Sequence, residues 1–193
     1  MQRSTRLGLS IVIALLAGAA CERQDPNAWH PYTHPETGFS VLFPTRPVES
    51  GEDTQTPFGL IQTYRIEAQK EGDPLRYRVR ADHYPLTVLA LGSTQGLLHA
   101  RAKRHEAVVG AKLLSEEDIR FKEQPAKQLV YELADGGFEL ARVLLTPPVM
   151  YQLSVFSPTQ QPEGPDVSRF FDSFELPPDE TPEQAPEEAP AEP

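Results

Sequence analysis

The chain has 193 residues, with 28 acidic against 18 basic side chains and a net charge of −10. Such a balance, without any strongly basic face, excludes the electrostatic footprint that nucleic-acid binding requires. A single cysteine excludes an internal disulfide, so the fold must rest on its apolar core.

The chain opens with Arg3 and Arg6, an apolar run over residues 7–16, and small residues leading through Ala19 and Ala20 to Cys21. This is the pattern of an export signal. About 14 apolar or small residues fall short of the roughly 20 needed to span a bilayer core. The segment resembles the signal peptide and lipobox of bacterial lipoproteins, although Gly18 stands where a large aliphatic residue is usual. The resemblance implies that residues 1–20 are removed and that Cys21 carries the lipid, with palmitate among its acyl chains. It places the protein in the bacterial cell envelope, facing the periplasm, and Glu22 after the cysteine favours the outer over the inner membrane. The alternative is an ordinary secretory signal cut near Ala20, which would leave a free thiol.

Without residues 1–20 the balance becomes 16 basic to 28 acidic, or −12. Residues 177–193 account for six acidic side chains and six prolines with no basic residue, the composition of a disordered acidic tail. Residues 21–37, rich in proline and polar side chains, read as a lipidated tether, which Trp29 and Tyr32 leave to cover a domain edge. The domain is expected over residues 38–176, where 15 basic and 19 acidic side chains nearly balance.

Within it, Phe39, Val41 and Phe43 alternate as in a half-buried strand that Pro44 ends. A turn-rich stretch comes next, over 45–57, then a strand over 59–68 with imperfect alternation. Residues 75–84 alternate most clearly, with Leu75, Tyr77, Val79 and Ala81 opposite Arg76, Arg78, Arg80 and Asp82. Leu91, Leu98, Ala102, His105 and Val109 then line one face of a long helix. Ser93 or Thr94 can cap its start, and Gly110 can end it. Arg101, Lys103 and Arg104 fall off that face. Strands are predicted over 112–121, 126–133, 138–145 and 150–157, with Asp135-Gly136-Gly137 as a hairpin turn and Thr146-Pro147-Pro148 as a second. A short helix over 167–174 closes the domain. The fold class is α+β: an antiparallel sheet of about six to seven strands, one long helix packed on it and a short C-terminal helix.

The opening Gly38-Phe39-Ser40-Val41-Leu42-Phe43-Pro44 strand, the middle helix with Lys112-Leu113-Leu114-Ser115 behind it, the strand through Met150-Tyr151-Gln152 and the closing Arg169-Phe170-Phe171-Asp172-Ser173-Phe174 together resemble the PsbP/DcrB-like superfamily. That resemblance covers residues 38–176. It implies a small sandwich of extrinsic subunits, assembly helpers or envelope lipoproteins, and carries no catalytic set.

No residue pattern points to a reaction. His30 and His34 are four apart, but Pro31 and Pro35 deny them a helix, and no carboxylate stands at ligand spacing, so neither metal nor cofactor is expected. His105 reads as a partly buried, hydrogen-bonded residue and His99 as solvent-facing. Ser154 and Ser157 occupy strand positions without a nucleophile elbow. Adjacent Glu116 and Glu117 point to opposite faces, and Gly136-Gly137 lacks the helix a phosphate loop needs. Arg76, Arg78 and Arg80 remain as a candidate contact for an anion or an acidic partner. Against that stands a cross-strand lattice with Glu67, Glu132 or Glu139. The expectation is a non-enzymatic, membrane-anchored lipoprotein that binds a protein partner or supports assembly; the alternative is an exported module binding a small molecule or a metal.

Overall fold

The structure, a computed structural model, describes residues 28–90 and 92–178. Cys21, Leu91 and the tail beyond Pro178 lie outside the described residues. Seven antiparallel strands form the main sheet: β3 (Val48–Thr56), β4 (Gly59–Gln69), β5 (Arg76–His83), β6 (Lys112–Phe121), β7 (Gln124–Glu132), β8 (Phe138–Thr146) and β9 (Val149–Ser157). Their spatial order is β3-β4-β5-β9-β8-β7-β6. The last strand in sequence thus fills the middle, and every residue of β9 is buried. A separate hairpin of β1 (His30–Thr33) and β2 (Ser40–Phe43) lies against the main sheet.

Four expectations are corrected. The stretch 45–57 is not a turn region: β3 occupies most of it, paired along its whole length with β4. Its sequence, Val-Glu-Ser-Gly-Glu-Asp-Thr-Gln-Thr, shows no apolar alternation because it is an exposed edge strand held by backbone pairing. The strand at residues 39–43 belongs to the small hairpin rather than the main sheet. Residues 30–33, expected in the tether, form β1, so folded structure starts well before residue 38. Finally, one long helix is replaced by α1 (Leu86–Leu89) and a 16-residue α2 (Thr94–Val109), which packs on β7 and β8 and leaves much of the sheet uncovered. The cap residues hold as read: Ser93 Oγ accepts the Gly96 amide at 3.1 Å, and Gly110 ends α2 with φ 64°.

The sheet separates two cores. On one side Phe39, Val41 and Phe43 meet Val167, Phe170 and Phe171 of α3 (Pro165–Asp172), together with Phe174, over Tyr77, Val79, Tyr151 and Leu153. Their rings pack edge-on and tilted, as between Tyr77 and Phe170 at 5.2 Å, each such pair adding about 0.5–1.5 kcal/mol beyond burial. On the other side Leu98 and Ala102 of α2 cover Leu129, Tyr131, Ala141 and Val143. This second core is smaller, and beside it lies a polar region.

Candidate functional site: an arginine cleft between helix and sheet

The face of the sheet under α2 carries the other half of the β5 alternation. Cross-strand register sets Arg76, Arg78, Arg80 and Asp82 opposite Phe156, Ser154, Gln152 and Met150 on one side and Gln69, Glu67, Arg65 and Thr63 on the other. Because α2 sits over β7 and β8, strands β4 and β5 are left open. The gap is a cleft of about 310 Å³, and Arg65, Arg78, Arg80, Arg101 and Arg104 all line it. Two of the three predicted contact residues are therefore in this cleft; Arg76 lines a neighbouring cavity with Arg78 and His105.

Each arginine is held differently. Asp82, 1 % exposed, accepts from Arg80 Nε at 2.9 Å and from Thr63 Oγ1 at 2.6 Å, and lies 3.3 Å from Arg101 Nη1. Arg101, only 8 % exposed, also donates from Nε to Gln152 Oε1 at 2.9 Å. Burial pulls the Arg101 pKa down and Asp82 opposes this; an arginine stays charged regardless. Glu67 accepts from Arg78 Nε and lies 4.0 Å from Arg76. Both guanidinium groups also stack on Phe156, at 4.4 and 4.6 Å from its ring centre. Arg65 donates to Glu52 at 2.7 Å. Arg104 has no carboxylate within ion-pair distance among the described residues.

The cross-strand lattice is thus real at Glu67, whereas Glu139 takes another role and Glu132 makes no ion pair with the stripe. The lattice does not neutralise the cleft. With Arg76, which shares Glu67, six arginines face four carboxylates, Glu52, Glu67, Asp82 and Glu139, an excess of two positive charges.

Glu139 lies beside the cleft, lining the neighbouring cavity with Arg76, Arg78 and His105. It is 0 % exposed, yet its carboxylate takes His105 at 2.7 Å, Ser154 Oγ at 2.6 Å and Gln152 Nε2 at 3.1 Å. Burial pushes its pKa up, but the His105 and Ser154 hydrogen bonds outweigh this and hold it below the usual carboxylate range. The trio of Ser154, His105 and Glu139 is not a hydrolytic arrangement. The carboxylate lies between serine and histidine, so the imidazole does not touch the hydroxyl, and Ser154 is fully buried.

Sequence reasoning missed Arg65, Arg101 and Arg104. The available signal was spacing: Arg101, Arg104 and His105 fall at i, i+3 and i+4 on one side of α2. Read against an apolar stripe alone, Arg101 simply falls off the apolar face. His99 is exposed as expected, although its ring meets Glu116 at 3.0 Å.

A second cluster sits on the opposite side of the molecule. His34, 0 % exposed, directs Nε2 at Glu36 and Glu49, 3.5 and 3.6 Å away, and the three could offer ligand atoms within 4.8 Å of one another. The ring's other nitrogen argues against a cation. His34 Nδ1 accepts the Thr37 amide at 3.1 Å, so the neutral imidazole carries its proton on Nε2. A metal would need the lone pair there instead. Burial lowers the His34 pKa against the pull of Glu49 and Glu36, keeping the ring neutral.

No family model matches the chain, and no curated protein matches it in sequence. Among solved structures it is similar to cyanobacterial PsbP (CyanoP) from Synechocystis sp. PCC 6803, with 14% identity and a TM-score of 0.51. That match covers 81% of this chain and 97% of the other. A Pseudomonas aeruginosa protein of unknown function aligns at 13% identity over 67% of this chain and 82% of its own, with a TM-score of 0.32. The second likeness is too distant to carry an argument; the first defines the fold. The chain has a PsbP-like fold of antiparallel sheet and short helices.

Proposed function

We propose that this protein is a non-catalytic module of the bacterial envelope, held to the membrane by lipid on Cys21, that receives an anionic group of a partner in the arginine cleft. The observation that carries this reading is the excess of two positive charges in a partly enclosed cleft whose walls are pre-positioned by Asp82, Glu67 and Gln152. Guanidinium groups held in place lose little side-chain entropy when they bind carboxylate or phosphate in bidentate fashion. In the proposed division of the chain, residues 1–20 are the export signal, the stretch from Cys21 to the start of β1 is the tether, and the acidic residues 177–193 are a solvated spacer. Glu22 favours the outer membrane. The partner in this reading is a protein presenting clustered carboxylates or a phosphate; the enclosed shape of the cleft favours a small exported anion as the second reading.

Thermal unfolding in the presence of inorganic phosphate and citrate tests the cleft. A ligand at 100 times its dissociation constant adds about 2.7 kcal/mol of stability. The stabilisation should vanish in Arg104→Glu, and no stabilisation of the wild type by any anion would remove the cleft from consideration. The anchor is tested separately. Wild-type cells fed radioactive palmitate should label the protein, Cys21→Ser should not label, and an unlabelled wild type ends the lipoprotein reading.

A further inference from the structure

Beside the arginine cleft lies a second, apolar groove of about 160 Å³. Tyr84, Val88, Leu89, Leu97, Ala100 and Met150 line it, between α1, α2 and the adjoining ends of β5 and β9. Two further residues complete its wall: Arg101 and Arg104, which also line the cleft. The two spaces therefore meet at Arg101 and Arg104, side chains that combine an apolar stem with a charged head. Val108, 73 % exposed, lines the cleft itself.

From this juxtaposition we infer that the ligand of the cleft is an amphiphile: a phosphate monoester head among the arginines, with a short alkyl chain in the groove of Leu97 and Met150. The inference rests on the anion reading of the cleft and adds the ligand's class. Charge supports the head. A phosphate monoester carries about −1.5 to −2 at pH 7, which matches the local excess of two positive charges. Arg104 is the group to contact it, because no carboxylate occupies it among the described residues. Geometry supports the chain. A monoester has one direction free for a substituent, and Arg101 and Arg104 form the boundary over which that substituent passes from polar to apolar walls. The small volume of the groove limits the tail to a few methylene groups, and excludes a helix or a long acyl chain.

Isothermal titration of the complete exported chain tests this, with Cys21→Ser introduced so that no acyl chain of its own enters the assay. The probes are inorganic, methyl, butyl and hexyl phosphate. Each methylene that enters the groove should tighten binding roughly fourfold, the equivalent of ~0.8 kcal/mol. Ala100→Trp, at an exposed helix position on the groove wall, should make methyl, butyl and hexyl phosphate bind alike. Arg104→Gln should weaken all of them by a similar factor. Equal affinity for methyl and hexyl phosphate in the wild type would overturn the inference and leave the anion reading intact. So would a chain-length dependence that Ala100→Trp does not alter, since the tail would then lie elsewhere. Tighter binding of an acidic peptide than of hexyl phosphate would assign the site to a protein. Failure of every phosphate and peptide to bind would overturn the anion reading itself.

Discussion

Glu139 concentrates the energetics of the polar face in one side chain. Three donors converge on it in a site with no access to water, so its loss leaves His105, Ser154 and Gln152 each short of an acceptor. Glu139→Leu should lower the unfolding free energy by about 3–5 kcal/mol in urea titration, and Glu139→Gln by less, because an amide oxygen still accepts. A loss under ~1 kcal/mol for the leucine variant would mean that the network is not closed. Tyr77 presents the opposite case. Its hydroxyl is buried without a hydrogen-bond partner among the described residues, so Tyr77→Phe should be neutral or stabilising by up to about 1 kcal/mol in the same titration. His34 supplies a pH dependence. Its folded pKa lies below the usual value of about 6.5, so the unfolded chain binds more protons in the window beneath that value. Stability is then fully present above pH ~6.5 and falls as pH drops through the window. Melting temperatures between pH 7.5 and 5.5 should show this decline, and His34→Asn, which keeps an acceptor for the Thr37 amide, should reduce it.

Elements differ in how openly their residues declare them. Helix α2 begins at a hydroxyl that accepts a backbone amide and ends at a left-handed glycine; both were readable because capping is a local contest between neighbouring atoms. Ser93→Ala should cost about 1 kcal/mol. Gly110→Ala should cost a similar amount, about 1 kcal/mol. A Cβ at Gly110 would meet nothing within 4 Å, so that cost is one of backbone conformation alone. Urea midpoints of the two variants check both values. Strand β5 was equally plain, since its two faces meet different chemistry on every alternate residue. Strand β3 was not. With eight of its nine residues exposed, β3 is defined by backbone pairing to β4 rather than by a buried face, and pairing leaves no mark on side-chain pattern. The acidic residues along it, Glu49, Glu52 and Asp53, suit an edge that must not pair with another chain.

At the scale of the molecule, the sheet divides an aromatic core from a polar cleft, and the two ends of the domain meet on the aromatic side. Ser40 pairs with Glu175 through both backbone amides, and Gly38, at φ 69°, lies so close to Pro177 that a Cβ there would come within 2.9 Å of its ring. Closure is complete by Pro178, and the sequence of residues 179–193 holds charge and proline but little to bury. Ending the chain after Pro178 should therefore leave the urea midpoint unchanged; a marked drop would show that the acidic residues contribute to folding. The α+β class, the two caps of α2 and the arginine face of β5 were all readable from the residues, because each depends on neighbours within a turn or on strict alternation. The separate β1-β2 hairpin, the edge strand β3 and the membership of Arg65, Arg101 and Arg104 in one cleft were not. Those depend on register between distant strands and on which strip of the sheet α2 covers. A side chain's chemistry is local, but its neighbours across the cleft are set by packing, and the positive excess exists only once packing has brought them together.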